Sequence, residues 1–205
     1  MSPADIPARP QGSLLRCLAR MARGAAMRSA LMADRPPEAP HAQALLDAVA
    51  LFDELGIGYA LVGGVAAMYY GRARFTEDVD FVAAAGHAEV LAAHPAAMQS
   101  HGFDPACTWK LHHASGTEID LWKDERADEI VARARAAALA GRSVRIADPH
   151  DLIAMKLRSG RLQDDYDISE VLCGTAITDG TVQALVEREQ FAHYLDIKRR
   201  TQQRP

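Results

Sequence analysis

The chain has 205 residues, 49% of them hydrophobic and 24% charged, which excludes disordered, collagen-like and fibrous proteins and suffices for one well-buried core. A net charge of −4 argues against a strongly basic protein that coats nucleic acid or an anionic membrane. Cys17, Cys107 and Cys173 are widely spaced and form no Cys-x-x-Cys pair, so neither a disulfide framework nor a zinc site is indicated, and a reducing cytoplasm is the expected setting.

The charge is unevenly distributed. Six arginines (Arg9, Arg16, Arg20, Arg23, Arg28 and Arg35) against Asp5 and Asp34 give residues 1–37 a balance of +4, so the other 168 residues total −8. Leu14, Leu15, Leu18 and Leu31 among these arginines are compatible with a basic amphipathic helix, but residues 1–37 read more simply as a flexible N-terminal extension. Arginines interrupt every apolar stretch, so no secretory core is formed. Nowhere does the chain approach the run of about 18 apolar residues that a membrane helix needs, and no membrane partner is expected. Pro36, Pro37 and Pro40 mark a boundary, and residues 38–205 are taken as the folded domain.

From His41 to Leu55 apolar residues recur at helical spacing, and Gly56 and Gly58 stop the helix. Tyr59 to Val62 reads as a buried strand, broken by Gly63-Gly64, and Val65 to Tyr70 as a helix leaving that turn. Asp78 to Val82 alternates polar and apolar residues, as does Glu118 to Trp122, the period-two pattern of strands with one face on a core. The spacing predicts one helix from Gly86 to Gln99, an extended segment from Phe103 to His113, and an Ala-rich helix from Asp128 to Leu139 ended by Gly141. A short strand follows at Ser143 to Ile146, and from Pro149 onward the chain is read as helices. The expected class is α/β (α+β), a small mixed-sheet core with a helical C-terminal part from about residue 149.

Chemistry gathers on the two alternating strands. Asp78 and Asp80, two apart, project to one face while Val79 and Phe81 point to the buried side. Adjacent carboxylates repel unless one is protonated or a divalent cation lies between them, and a hard ion such as Mg²⁺ takes oxygen ligands of this kind. Asp120, flanked by Ile119 and Leu121, is placed to add a third carboxylate from a neighbouring strand. Gly63-Gly64, between a strand and a helix, offers backbone N–H groups to a phosphate, although a glycine pair alone is a weak signal.

In combination these features are more specific. Leu61-Val62-Gly63-Gly64, Arg72-x-Arg74-Phe75-Thr76-x-Asp78-Val79-Asp80-Phe81-Val82 and the later Asp120 resemble the nucleotidyltransferase superfamily of DNA polymerase beta, closest to AbiEii/AbiGii-type toxin nucleotidyltransferases. Asp151 to Leu157, carrying Lys156, resembles that family's Lys-bearing helix. Arg161-Leu162-Gln163-Asp164-Asp165-Tyr166-Asp167 resembles its Arg-x-Lys-Asp-x-x-Asp motif, with Gln163 standing where the family has Lys. The resemblance spans roughly His41 to Leu172 and implies a nucleotidyltransferase using a nucleoside triphosphate with Mg²⁺ (or Mn²⁺), its acceptor hydroxyl on a tRNA end or a protein.

It further implies that Asp78, Asp80 and Asp120 bind metal, and that Gly63, Gly64, Arg72, Arg74, Lys156 and Arg161 meet the nucleotide. Asp120 is the first choice to accept the hydroxyl's proton, and Asp164 is the rival. A toxin of this kind implies growth inhibition and a cognate antitoxin. The alternative is an inactive module of the same fold, acting as antitoxin or nucleotide-binding partner. His112 and His113, adjacent on an extended segment, face opposite ways and read as structural rather than metal-binding. Arg133, Arg135, Arg142 and Arg145 read as part of a mixed surface rather than an RNA-binding patch, and Trp109 and Trp122 as core or rim packing.

Overall fold

The computed structural model describes residues 40–71, 78–139 and 142–203. The N-terminal extension, the proline boundary up to Ala39, Arg72, Arg74 and Gly141 lie outside the described residues. The chain divides into two compact units, one built on a sheet and one helical.

In the sheet unit, helix α1 (Pro40–Glu54) begins with a proline, a residue the first turn accepts because its missing N–H has no intrahelical partner there. It ends at Gly56, whose φ of 66° lets the chain turn back while the Ile57 N–H reaches the Phe52 carbonyl at 2.8 Å. Strand β1 (Tyr59–Leu61) follows, then helix α2 (Gly63–Tyr70) and β2 (Val79–Ala83). The expected helix over 86–99 is two helices, α3 (His87–Ala93) and α4 (Pro95–Ser100). Pro95 is the cause, since a proline disfavours helical geometry in the residue before it, and His94 takes φ −126°, ψ 55°.

Strands β3 (Lys110–His112) and β4 (Glu118–Trp122) form an antiparallel pair, so the extended segment expected from Phe103 is a strand only at its end, with a single bridge between Phe103 and His113. The Ala-rich helix predicted to Leu139 stops early. Helix α5 is Ala127–Arg133, and Arg135–Leu139 is strand β5, paired along its whole length with β6 (Arg142–Ile146). Five cross-strand positions outweigh the helix propensity of three alanines. The sheet order is β3-β4-β2-β1-β6-β5, with β2/β4 and β1/β6 parallel and the remaining neighbours antiparallel.

The core beside α1 is an aromatic triangle of Phe52, Tyr59 and Phe81, with ring centroids 5.4 to 5.6 Å apart and two of its contacts edge-on. Because Phe81 faces this core, its neighbour Asp80 points to the opposite side of the sheet.

The helical unit contains the last turn of α2, α6 (Pro149–Ser159), α7 (Leu162–Gly174), α8 (Asp179–Gln183) and α9 (Arg188–Gln202). The end of α2 and the end of α7 approach backbone to backbone. A Cβ on Gly71 would press on the Glu170 backbone, and one on Gly174 would strike the Tyr70 carbonyl oxygen. Among the described residues, no helix is long and apolar enough to cross a membrane.

Candidate active site

The Gly63-Gly64 turn, β2 and β4 meet at Asp80. This carboxylate is 9% exposed. Trp122 donates its indole N–H to Asp80 Oδ1 at 2.9 Å, and the Gly64 N–H donates to the same carboxylate. Gly63 has φ 64°, and a Cβ there would fall on the Oδ2 of Asp80. The first glycine is therefore required twice, for its left-handed backbone and for the space its missing side chain leaves. The backbone strengthens the arrangement, since the Val62 N–H donates to the Asp80 carbonyl at 2.8 Å.

Asp120 lies directly beside Asp80 in the parallel β2/β4 register, on the same side of the sheet. Asp78 precedes β2 and is exposed. Burial pushes the Asp80 carboxyl up, the Trp122 hydrogen bond pulls it down, the charges of Asp120 and Asp78 raise it, and Gly64 lowers it; the net direction is up. The three carboxylates expected to act together thus already feel one another, but they are not wrapped around a common point. Among the described residues, no three His, Cys, Asp or Glu side chains are gathered as a metal centre.

The donor chemistry nevertheless fits a hard divalent cation. The groups are carboxylate oxygens, they adjoin in register, and a cation would offset both the burial that chiefly lifts Asp80 and the smaller repulsion from Asp120 and Asp78. Protein donors occupy them as they stand. On Asp120 the partner is Lys110, whose Nζ is 3.5 Å from Oδ1 and 2.6 Å from Glu118 Oε2.

In the helical unit, Lys156 is buried in α6, with Nζ 2.6 Å from Asp167 Oδ2 and 3.1 Å from Asp164 Oδ1. Asp164 and Asp167 share a face of α7, as their spacing of three predicts. The other oxygen of Asp164 accepts the Arg161 N–H at 3.1 Å, at the start of α7. Lys156, expected to face phosphate, is thus engaged by two carboxylates, while Arg161 is exposed.

Two residues beside Asp80 and Asp120, Trp122 and Lys110, are not among those expected to carry the chemistry. Trp122, read from its sequence context as core or rim packing, is 38% exposed and donates a hydrogen bond to Asp80, and Trp109 is 67% exposed. The signal for Trp122 was available in the alternation, because a residue two after Asp120 must share its face. Lys110 becomes visible only once the β3/β4 register is known.

The structure gives contacts for the histidine pair and for three of the arginines. His113 is enclosed, hydrogen-bonded to Asp47 at 3.2 Å and to Ser115 at 2.7 Å, and packed on Phe103. Arg133 pairs with Glu129, Arg135 with Asp148, and Arg145 reaches the Val131 carbonyl, so this surface is mixed.

No family model and no curated protein sequence matches the chain. Solved structures do. A crystal structure of an antigenic nucleotidyltransferase-like protein from Paracoccidioides brasiliensis superposes with a TM-score of 0.51 at 20% identity, covering 80% of this chain and 88% of that one. The solution structure of the antibiotic-resistance factor ANT(2'')-Ia gives a TM-score of 0.50 at 16% identity, covering 80% of this chain and 98% of that one. The chain thus shares its fold, built on a mixed six-stranded sheet, with these two proteins.

Proposed function

We propose that the chain is a metal-dependent nucleotidyltransferase that moves a nucleoside monophosphate from a nucleoside triphosphate to an acceptor hydroxyl. The observation that carries this reading is the in-register pair Asp80 and Asp120, beside a glycine turn whose first residue has no room for a side chain. Asp78, Asp80 and Asp120 are the residues that would hold Mg²⁺ or Mn²⁺. When bound, such an ion supplies a positive charge that binds the triphosphate and lowers the pKa of the attacking hydroxyl.

In the transfer, the acceptor oxygen forms a bond to the α-phosphorus, the bond to the bridging oxygen breaks, and pyrophosphate leaves with that electron pair. The hydroxyl proton goes to a carboxylate. Asp120 is the acceptor we favour, because it is more open than Asp164, which is buried between Lys156 and the Arg161 N–H. Gly63 and Gly64 are assigned to the triphosphate, which requires the Gly64 N–H to leave Asp80. Arg72, Arg74, Lys156 and Arg161 are assigned as cations for the nucleotide's charge.

The domain carrying this activity is taken as residues 38–205, with residues 1–37 as a basic extension and the cytoplasm as its setting. The acceptor is taken as a tRNA end or a protein hydroxyl, and the biological role as the toxin of a toxin–antitoxin pair. These follow from the similarity of the Gly63-Gly64, Asp78 to Val82 and Arg161 to Asp167 segments to AbiEii/AbiGii-type enzymes.

Incubation of the full chain with labelled nucleoside triphosphates, Mg²⁺ and either total RNA or cell extract tests the reading. Label on one acceptor fraction, lost in Asp80→Ala, is expected. Absence of transfer in every fraction, or transfer unaffected by Asp80→Ala, would sink it and favour the inactive nucleotide-binding module. Mass analysis of the labelled acceptor identifies the nucleotide and the modified group.

A further inference from the structure

Three residues on adjacent strands form a row across one side of the sheet. Asp80 on β2 is in register with Asp120 on β4, and Asp120 is in register with Lys110 on β3. Glu118, two residues before Asp120, shares that side. The Lys110 ammonium lies between the two β4 carboxylates, closer to Glu118 (2.6 Å) than to Asp120 (3.5 Å). His112 faces Glu118 from the same strand as Lys110, its Nδ1 3.5 Å from Oε1.

This arrangement has little to offer stability. Lys110, Asp120 and Glu118 have side-chain exposures of 27%, 28% and 43%, and ion pairs this open to water contribute little to folding. Its electrostatic consequence is local. A lysine ammonium beside Asp120 is a cation on the carboxylate that the proposed function gives to a divalent ion, and two cations on one carboxylate oppose each other.

The means of relieving that conflict are present. Asp120 has a short side chain on a strand paired on both edges, whereas Lys110 has a four-carbon stem and already makes its shorter contact with Glu118. The mobile partner is therefore the lysine.

We infer that Lys110 is a positioning residue, a resident counter-cation that orients Asp120 before a divalent ion arrives and withdraws onto Glu118 when one binds. The Lys110–Glu118 pair thereby sets how much divalent ion the site requires. This inference rests on the proposed metal-dependent function. It predicts opposite signs for two substitutions on one ion pair. Lys110→Met removes the competing charge and tightens divalent binding. Glu118→Gln removes the place to which the lysine withdraws and weakens it.

The test is Mn²⁺ binding to the metal-free full chain without nucleotide, followed by the electron paramagnetic resonance signal of the free ion. A thermal melt of each variant confirms that it is folded. Lys110→Met is expected to bind Mn²⁺ roughly three- to tenfold more tightly, Lys110→Arg to bind as the parent does, and Glu118→Gln to bind several-fold more weakly. Mn²⁺ affinity that responds to Asp80→Asn and Asp120→Asn but is the same in both pair variants overturns the role of Lys110 and leaves the metal site standing. Weaker binding in Lys110→Met, or an equal change in Lys110→Arg, also overturns it. A parent protein that binds no Mn²⁺, or binds it equally after Asp80→Asn and Asp120→Asn, overturns the metal-dependent reading and this inference together.

Discussion

Trp122 donates its indole N–H to Oδ1 of Asp80 at 2.9 Å, joining β4 to the most buried of the three candidate metal-binding carboxylates. The bond stabilises the charged form of a group whose burial disfavours charge, and Asp120 and Asp78 add to that disfavour. Phe in place of Trp122 keeps most of the ring and removes the donor. Losing a hydrogen bond to an ionised group costs about 1.5–3 kcal/mol.

The pH dependence follows from the direction of the Asp80 shift. Its folded pKa is raised, so the native state holds this proton more tightly than the unfolded chain and gains stability as pH falls through the folded value. Trp122→Phe raises it further. In EDTA, the variant is expected to melt below the parent at about pH 7, with the gap narrowing as pH falls toward the ordinary Asp value near 4. Thermal melts across that range check it, and a gap that stays constant with pH would show that the bond does not act on the Asp80 charge.

Gly63→Ala attacks the same carboxylate from the other side. The methyl group would occupy the Asp80 oxygen position, and the residue would be held at φ 64°, where a side chain is strained. Backbone strain alone is worth about 1–3 kcal/mol, and displacement of Asp80 adds to it. The expected outcome is a lower melting temperature together with loss of Mn²⁺ binding. Gly56→Ala serves as the comparison, because that glycine also has positive φ but nothing within 4 Å of an added Cβ. It should lose stability without losing Mn²⁺.

In the helical unit, Tyr194 donates to Asp179 Oδ1 at 2.7 Å, and Lys198 reaches the same oxygen at 2.6 Å. Burial pushes the Asp179 carboxyl up, but these two donors more than offset it and the net direction is down. Tyr194 itself is raised well above the usual phenol range by burial and by Asp179. A depressed carboxyl stabilises the fold above its unfolded pKa, and that contribution is lost as pH falls through the lower folded value. Tyr194→Phe is expected to cost about 1–2 kcal/mol near pH 7, or roughly 2–8 °C in melting temperature. The difference should shrink at acid pH as Asp179 protonates, and melting curves at both ends of the range decide it.

The alternating strands were legible because period two fixes which side chains share a face, and Asp80 and Asp120 are indeed neighbours across β2 and β4. Local pattern failed where tertiary pairing decides. Ala136, Ala137 and Ala138 favour a helix by propensity, yet β6 supplies a full set of strand partners. Lys110 could not be read as a partner of Asp120 without the hairpin register, which depends on how the segment between His112 and Glu118 turns. The spacing of Asp164 and Asp167 placed them on one face of a helix, but that Lys156 is the cation between them depends on how α6 packs against α7.

Lys156 offers the sharpest separation of a folding role from a role toward phosphate. The residue is 7% exposed, and its ammonium bonds Asp164 and Asp167, themselves 5% and 2% exposed. Lys156→Met removes the cation shared by two buried carboxylates, a change that typically costs about 3–5 kcal/mol, or roughly 6–20 °C in melting temperature for a chain of this size. Replacing the whole cluster, Lys156→Met with Asp164→Asn and Asp167→Asn, removes the buried charges together and should recover much of that loss. If Lys156 also neutralises phosphate, the triple variant will be folded yet bind nucleoside triphosphate weakly, measured by calorimetry. If its work is confined to joining α6 and α7, nucleotide affinity will return with stability, and the phosphate role falls to other cations.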